Sequence, residues 1–160
     1  MTELLLARRA ALPVRPASDG CPLEDGIVYV APCDRQLLVR EDRCFSILDS
    51  EAEVASHRFA DRLLTSSAQV FGSRMIAVVL SGRLNGGAVG VQAVKRRGGR
   101  VLVQDPSTAA APSMPNAALA TGCVDFALPP ESLGTAMLAL CAASGAAELF
   151  RVRLNAGVRG

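Results

Sequence analysis

The sequence of 160 residues contains no tryptophan, one tyrosine and one histidine, and aromatic residues make up only 4% of it. The histidine, His57, is therefore the only imidazole base that the chain could offer to a catalytic site. Hydrophobic residues still account for 50% of the chain and charged residues for 20%, so material for a core is present. This composition predicts a folded domain of ordinary α/β type rather than a disordered chain.

The sequence also has little net charge and no long apolar run. Its formal charge of +2 is too small to indicate a nucleic-acid partner. No apolar run approaches the roughly 20 residues that a membrane-spanning helix needs. Residues 1–9 carry no basic group ahead of their short apolar segment, unlike a signal peptide. These absences predict a cytoplasmic protein without membrane insertion.

Paired thiols are absent as well. The five cysteines are odd in number and widely spaced, and none forms a Cys-x-x-Cys pair. Zinc sites use such pairs and disulfide frameworks use even numbers, so neither is indicated. We expect free thiols in a reducing compartment, with no metal and no cofactor.

Apolar runs and turn signals alternate along the chain in the manner of an α/β fold. Four short apolar runs predict buried strands, at residues 27–31, 75–80, 101–103 and 124–128. Five amphipathic stretches predict helices, at residues 2–11, 57–71, 88–97, 116–121 and 130–143. A small β-hairpin is predicted near residues 36–48.

The order of these elements predicts the architecture. From residue 56 onward helix and strand alternate, which implies parallel strands joined by right-handed crossovers. We therefore predict an α/β fold with a doubly wound, mostly parallel sheet and helices on both faces. The domain is expected over residues 1–143, followed by a C-terminal tail at 144–160.

A glycine-rich turn at residues 80–88 marks the place where chemistry is expected. It separates the predicted strand 75–80 from the predicted helix 88–97 and contains Gly82, Gly86 and Gly87. Open α/β folds build their sites where a strand ends in such a turn and leads into a helix. The turn lacks the spacing of a phosphate-binding loop or of a dinucleotide fingerprint, so nucleotide binding is not indicated.

Several blocks of the sequence resemble motifs of one enzyme family, in the same order. Residues 27–32 with 34–37 are similar to a "G-x-V-Y-x-A-P-x-D-x-H-L" segment, and residues 57–63 to "H-R-P-x-x-D-x-L-F", with Phe59 where proline is usual. Residues 79–82 with Gly87 resemble an "L-[ST]-G-x-x-x-D-G" turn. Further blocks follow at residues 95–99, 103–106, 112–115, 117–120 and 124–129. Together they resemble the catalytic domain of the CheB-type protein-glutamate methylesterases of bacterial chemotaxis.

The resemblance implies an activity and also a defect in it. Members of the family hydrolyse glutamyl methyl esters on chemotaxis receptors with a serine nucleophile, a histidine base and an aspartate that orients the histidine. The family's serine and histidine lie in a first βαβ unit that has no counterpart here, and its aspartate falls on Gly86. We therefore expect an N-terminally truncated family member without an intact triad, inactive as this chain.

Six residues are expected to border the substrate by resemblance: His57, Ser81, Gly82, Asn85, Met114 and Pro115. Each also has a simpler interpretation. His57 fits a helix start, Asn85 a tight turn that tolerates unusual dihedral angles, and Met114 with Pro115 plain packing in a loop. Two other functions stay open. One is a non-catalytic module that holds a receptor helix or a partner subunit, and the other is an unrelated hydrolase that uses Ser81 and His57.

The unit that the resemblance implies to be missing has a structural consequence. In a doubly wound sheet the first strand is central, because the winding reverses beside it. Without that strand the sheet would expose open edges and apolar side chains. We therefore expect the chain to form a homo-oligomer or to bind a sister subunit that completes the sheet, in addition to the receptor.

Overall fold

The computed structural model describes residues 11–33, 35–49, 59–83 and 86–142. The strands are β1 (Val14–Pro16), β2 (Val28–Val30), β3 (Arg35–Val39), β4 (Phe45–Asp49), β5 (Ile76–Val79), β6 (Arg100–Gln104) and β7 (Phe126–Leu128). The helices are α1 (Phe59–Phe71), α2 (Ala88–Arg96), α3 (Ser113–Ala120) and α4 (Pro130–Ala142). Short 3₁₀ turns follow α1, at Gly72–Arg74, and β6, at Pro106–Thr108.

The main sheet consists of three parallel strands in the order β5-β6-β7. Val101 and Val103 of the central strand belong to the largest core cluster, together with Val91 and Val94 of α2. Leu102 points to the opposite face and is also fully buried. Helices therefore cover both faces of the strand, and α4 packs against it. The predicted α/β fold with parallel strands is confirmed.

Two smaller β units precede this sheet. Strands β1 and β2 pair in parallel, and β3 and β4 form the antiparallel hairpin that was predicted near residues 36–48. The hairpin turn places Arg43 at φ 61°, a left-handed conformation that is uncommon for a residue with a side chain. Leu37, Val39 and Phe45 form a second core cluster against α1.

Helices α1 and α2 approach each other closely because α2 carries a glycine at the contact. A Cβ atom on Gly90 would lie 2.7 Å from the Cβ of Leu64 and 3.1 Å from the Cα of Asp61. Only a residue without a side chain fits this separation. The contact fixes α2, and with it the glycine-rich turn that precedes α2, against α1.

Helix α3 begins three residues earlier than the sequence predicts. Helix α3 begins at Ser113, whereas residues 107–115 were predicted as a loop and the helix from 116. Met114 and Pro115 therefore lie in the first turn of a helix, and their assignment to a loop was wrong. Proline is tolerated in a first helical turn, because the backbone N–H that it lacks has no intrahelical acceptor there.

Some predicted features lie outside the described residues. These are residues 2–10 of the helix predicted at 2–11, the first two residues of the helix predicted at 57–71, and the C-terminal tail predicted at 144–160. Among the described helices none is long and apolar enough to cross a membrane. All five cysteines are described and each is a free thiol.

Candidate functional site

The glycine-rich turn and the segment that follows β6 come together at the carboxyl end of the parallel sheet. We call this the turn–loop site and define it as residues 80–83, 86–87 and 104–115. Strands β5 and β6 deliver its two halves side by side, because neighbouring parallel strands end at the same edge. This is the edge at which open α/β folds bind ligands.

Hydrogen bonds connect Ser81 to the end of β6 and to the loop that follows it. Its backbone N–H donates to Oε1 of Gln104 at 2.8 Å, and its Oγ accepts from the N–H of Ala111 at 2.9 Å. Gln104 is only 7% exposed, and its Nε2 donates to the carbonyl oxygen of Thr108 at 3.1 Å. The Ser81 hydroxyl thus helps to hold the loop in place.

Gly82 allows the first turn of α3 to lie directly against the glycine-rich turn. Its N–H donates to the carbonyl of Ala111 at 2.9 Å, and its carbonyl accepts from the N–H of Met114 at 3.1 Å. A Cβ atom on Gly82 would lie 2.3 Å from Sδ of Met114. The thioether of Met114 therefore covers the turn, and the next residue, Pro115, is fully buried.

Gly86 and Gly87 lead into α2 and are both buried. Gly87 is the N-cap residue at φ 101°, a conformation that favours glycine, and it offers no side chain to the free N–H groups of the helix. Asp61 of α1 supplies that function instead, since its Oδ1 accepts from the N–H of Gly90 at 2.7 Å. The carboxylate also lies at the positive end of the helix dipole.

Asp105 fixes the start of the loop after β6. Its Oδ1 accepts hydrogen bonds from the backbone N–H of Ser107 at 2.9 Å and from the hydroxyl of Ser107 at 2.8 Å. The backbone hydrogen bond first, and the hydroxyl second, hold the pKa of Asp105 below its ordinary value. This carboxylate is thus engaged as a turn cap.

The structure brings together four of the six residues that were predicted to border the substrate. Ser81, Gly82, Met114 and Pro115 lie in the turn–loop site, whereas His57 and Asn85 lie outside the described residues. Gly86 offers no carboxylate at the position where the resemblance places the family's aspartate. Over the described ranges no cluster of three histidine, cysteine, aspartate or glutamate side chains could hold a metal ion.

Two residues that the sequence analysis did not select prove important for this site. Gln104 and Asp61 each bond a backbone group that is distant in sequence, by 23 and 29 residues respectively. Local patterns carry no signal for such contacts. Both residues do fall in the blocks 103–106 and 57–63 that carry the family resemblance, and this was the one available indication.

Comparison with known proteins gives consistent results. A family model described as CheB methylesterase matches residues 1–137. The protein-glutamate methylesterase/protein-glutamine glutaminase of Moorella thermoacetica is 36% identical over 148 residues, which is 88% of this chain and 35% of the relative. The corresponding protein 3 of Anaeromyxobacter dehalogenans is 38% identical over 129 residues, or 80% of this chain and 38% of the relative.

A solved structure agrees with these relatives. The Thermotoga maritima CheB methylesterase catalytic domain superimposes with a TM-score of 0.77 at 30% identity, covering 86% of this chain and 75% of that one. This chain spans a little over a third of the length of the Moorella and Anaeromyxobacter relatives.

Proposed function

Because the chain belongs to the CheB methylesterase family, we propose that it recognises methylated glutamate side chains of a chemotaxis receptor at the turn–loop site. The observation that carries the proposal is the family match over residues 1–137, which runs through both halves of this site. The receptor as partner and the cytoplasm as location belong to the same proposal. No cofactor or metal is part of it.

The chemistry of the turn–loop site supports binding of a methyl ester. Met114 presents a partly buried thioether beside the backbone of Gly82, and Pro115 is fully buried behind it. A polarizable apolar wall of this kind suits the methyl group of an ester, and a free carboxylate gains nothing from it. His57 and Asn85 are proposed as polar contacts to the same substrate.

We further propose that the chain does not hydrolyse the ester by itself. A triad needs a carboxylate to orient the histidine and to stabilise its cation, and Gly86 has no side chain at that position. Asp61 and Asp105 are the neighbouring carboxylates, and both are engaged with backbone N–H groups. Since Gly86 lies inside the chain, this expectation holds wherever the sequence of the whole protein begins.

A hydrolase built on Ser81 and His57 is not favoured. The Oγ of Ser81 accepts from the N–H of Ala111 at 2.9 Å and lies 3.5 Å from the carbonyl oxygen of the same residue. Attack on an ester would break these contacts and release the loop. The hydroxyl therefore supports the loop in our proposal and does not attack the substrate.

Association with a second copy or a sister subunit is also proposed. Within the described residues β5 pairs with a strand on one side only, and Ile76 and Val78 on that strand are only partly buried. An unpaired parallel strand with apolar side chains favours pairing with another chain.

Peptide binding tests the proposed recognition. A receptor peptide that carries one glutamate methyl ester should bind the chain about three- to fourfold more tightly than the peptide with free glutamate, since one more methyl group is buried. Met114→Ala should remove this preference. Met137→Ala is the matched control, because Met137 lies exposed on α4 and should leave the preference unchanged. Equal binding of both peptides by the unmodified chain would contradict the proposal.

A further inference from the structure

A groove runs along the exposed side of α1, apart from the turn–loop site. It consists of three adjoining hollows of about 500, 150 and 460 Å³. The first two share Thr65 and Gln69, and the last two share Gln69 and Arg97. The hairpin turn forms one wall of this α1 groove and helix α2 forms the other.

Four arginines from three elements line the α1 groove, and each is exposed: Arg43, Arg62, Arg96 and Arg97. Over the described ranges none of their guanidinium groups forms an ion pair. Four other arginines do pair with a carboxylate, in the pairs Arg15–Glu24, Arg35–Asp49, Arg40–Asp42 and Arg100–Asp125. Of the six described arginines without an ion pair, four therefore line this groove, and Arg74 and Arg83 lie outside it.

The carboxylates of the α1 groove do not balance this charge. Asp61 accepts a hydrogen bond from the N–H of Gly90, so its charge serves helix α2. Glu41 lies at the far end, in the hollow that Arg43 and Arg97 line. Four positive charges therefore face two negative ones, in a chain whose net charge is only +2.

Apolar surface predominates at the end of the α1 groove beyond Thr65, where Asp61 and Arg62 are the charged lining residues. Leu38 and Val89 line the largest hollow, and Val89 is 59% exposed. Most of this β-branched side chain, in the N-terminal turn of α2, is thus left open to solvent. The groove thus combines an apolar end with a basic end.

Backbone hydrogen bonds hold the hairpin turn at the basic end of the groove. Arg43 sits at φ 61°, and its N–H donates to the carbonyl of Arg40 while its own carbonyl accepts from the N–H of Leu23, both at 2.9 Å. Arg96 and Arg97 stand at the C-terminus of α2, where cations also favour the helix dipole. The helix dipole accounts for the presence of Arg96 and Arg97 at this helix end. It does not account for Arg43 and Arg62, which lie in the hairpin turn and in α1.

We propose that the α1 groove docks an acidic amphipathic helix of another protein. Carboxylates on the polar side of that helix would pair with Arg43, Arg96 and Arg97, and apolar side chains would cover Leu38 and Val89. Helix α1 lines the groove from Asp61 to Val70, a length of about 14 Å, so a helix of about 14 residues spans it with about one turn to spare. A nucleic acid fits less well, because the apolar side chains Leu38 and Val89 would stay uncovered. This interaction is independent of the proposed function.

Fluorescence anisotropy with the 160-residue chain tests the docking. The probe is a labelled helical peptide of about 14 residues with glutamates on one side and leucines on the other. The same peptide with glutamine for every glutamate is the matched ligand. We expect the acidic peptide to bind about tenfold more tightly, and the binding to weaken as salt is raised from about 50 to about 300 mM.

Variants locate the binding on the α1 groove. The double change Arg96→Gln with Arg97→Gln should weaken binding about tenfold, and Arg43→Gln on the opposite wall about three- to fivefold. Arg15→Gln is the control, since this exposed arginine lies on β1 outside the groove and should not change binding. Circular dichroism melts establish that each variant is folded.

Three results would overturn the proposal. The first is equal binding of the acidic and glutamine peptides. The second is an equal loss of affinity for the acidic peptide in Arg15→Gln and in the groove variants. The third is tighter binding of single-stranded RNA than of the acidic peptide. The last result would identify a nucleic-acid surface instead.

Discussion

Replacing Gly82 by alanine is predicted to separate the two halves of the turn–loop site. The new Cβ would lie 2.3 Å from Sδ and 3.1 Å from Cγ of Met114, far inside van der Waals contact. Both atoms belong to the middle of the side chain, so Met114 must leave its rotamer or helix α3 must shift. Overpacking of this kind costs about 1–3 kcal/mol. Gly82 does not have a positive φ, so the cost comes from this contact and not from backbone strain.

A double-mutant cycle in urea measures the contact. Met114→Ala alone should lower the free energy of unfolding by about 2 kcal/mol, because a partly buried side chain is lost. In the double variant the alanine at 82 meets no thioether, so the two losses should fall short of additivity by about 1–2 kcal/mol. Gly134→Ala is the control, since a Cβ there meets nothing within 4 Å in helix α4 and should stabilise by about 0.5–1 kcal/mol.

The cycle would refute the described site in two ways. If Gly82→Ala were as harmless as Gly134→Ala, Met114 could not be covering the turn. If the losses from Gly82→Ala and Met114→Ala were strictly additive, the two residues would not be in contact.

Two further predictions concern the carboxylates around the site. Asp61→Ala should lower the free energy of unfolding by about 1 kcal/mol, because the N–H of Gly90 loses its acceptor. Asp61→Asn keeps an acceptor oxygen and should retain most of the stability in the same urea titration. Equal losses in the two variants would contradict the capping role. The depressed pKa of Asp105 means that its charge stabilises the fold above the unfolded value of 3.8 and that this contribution is lost as pH falls through the lower folded value. The difference in Tm between the unmodified chain and Asp105→Asn should therefore shrink below pH 3.8, and a difference that stays constant from neutral pH to acid would contradict the cause given.

The sequence predicted the elements whose signals are local. The apolar runs around Val78 and Leu102 form strands that are buried or half-buried in a parallel sheet, and their pattern needs no knowledge of partners. The run around Ala127 also forms a parallel strand, but it was wrongly predicted as buried, because it lies at the edge of the three described strands and is largely exposed. The start of α3 was missed because Pro115 was taken as the end of a loop. At the third position of a helix proline is harmless, and composition alone does not distinguish the two cases.

The contacts that build the candidate site were not predictable in this way. The bond from Ser81 to Gln104 joins two strand ends, and the bond from Gly90 to Asp61 joins two helices. Each depends on the crossover geometry and not on sequence spacing. The α1 groove collects its arginines from the hairpin, α1 and α2, so the basic run at residues 95–97 indicates one wall of the groove and not the groove itself.

The central claim, that the chain retains the family fold without its hydrolysis, is tested most directly by methanol release. The purified chain and its Gly86→Asp variant are incubated with a receptor that carries glutamate methyl esters, beside an active family member. We predict no methanol above background from either protein, because a carboxylate at residue 86 does not supply the serine and histidine that the resemblance places in a unit without a counterpart in these 160 residues. Methanol release by either protein would contradict the account.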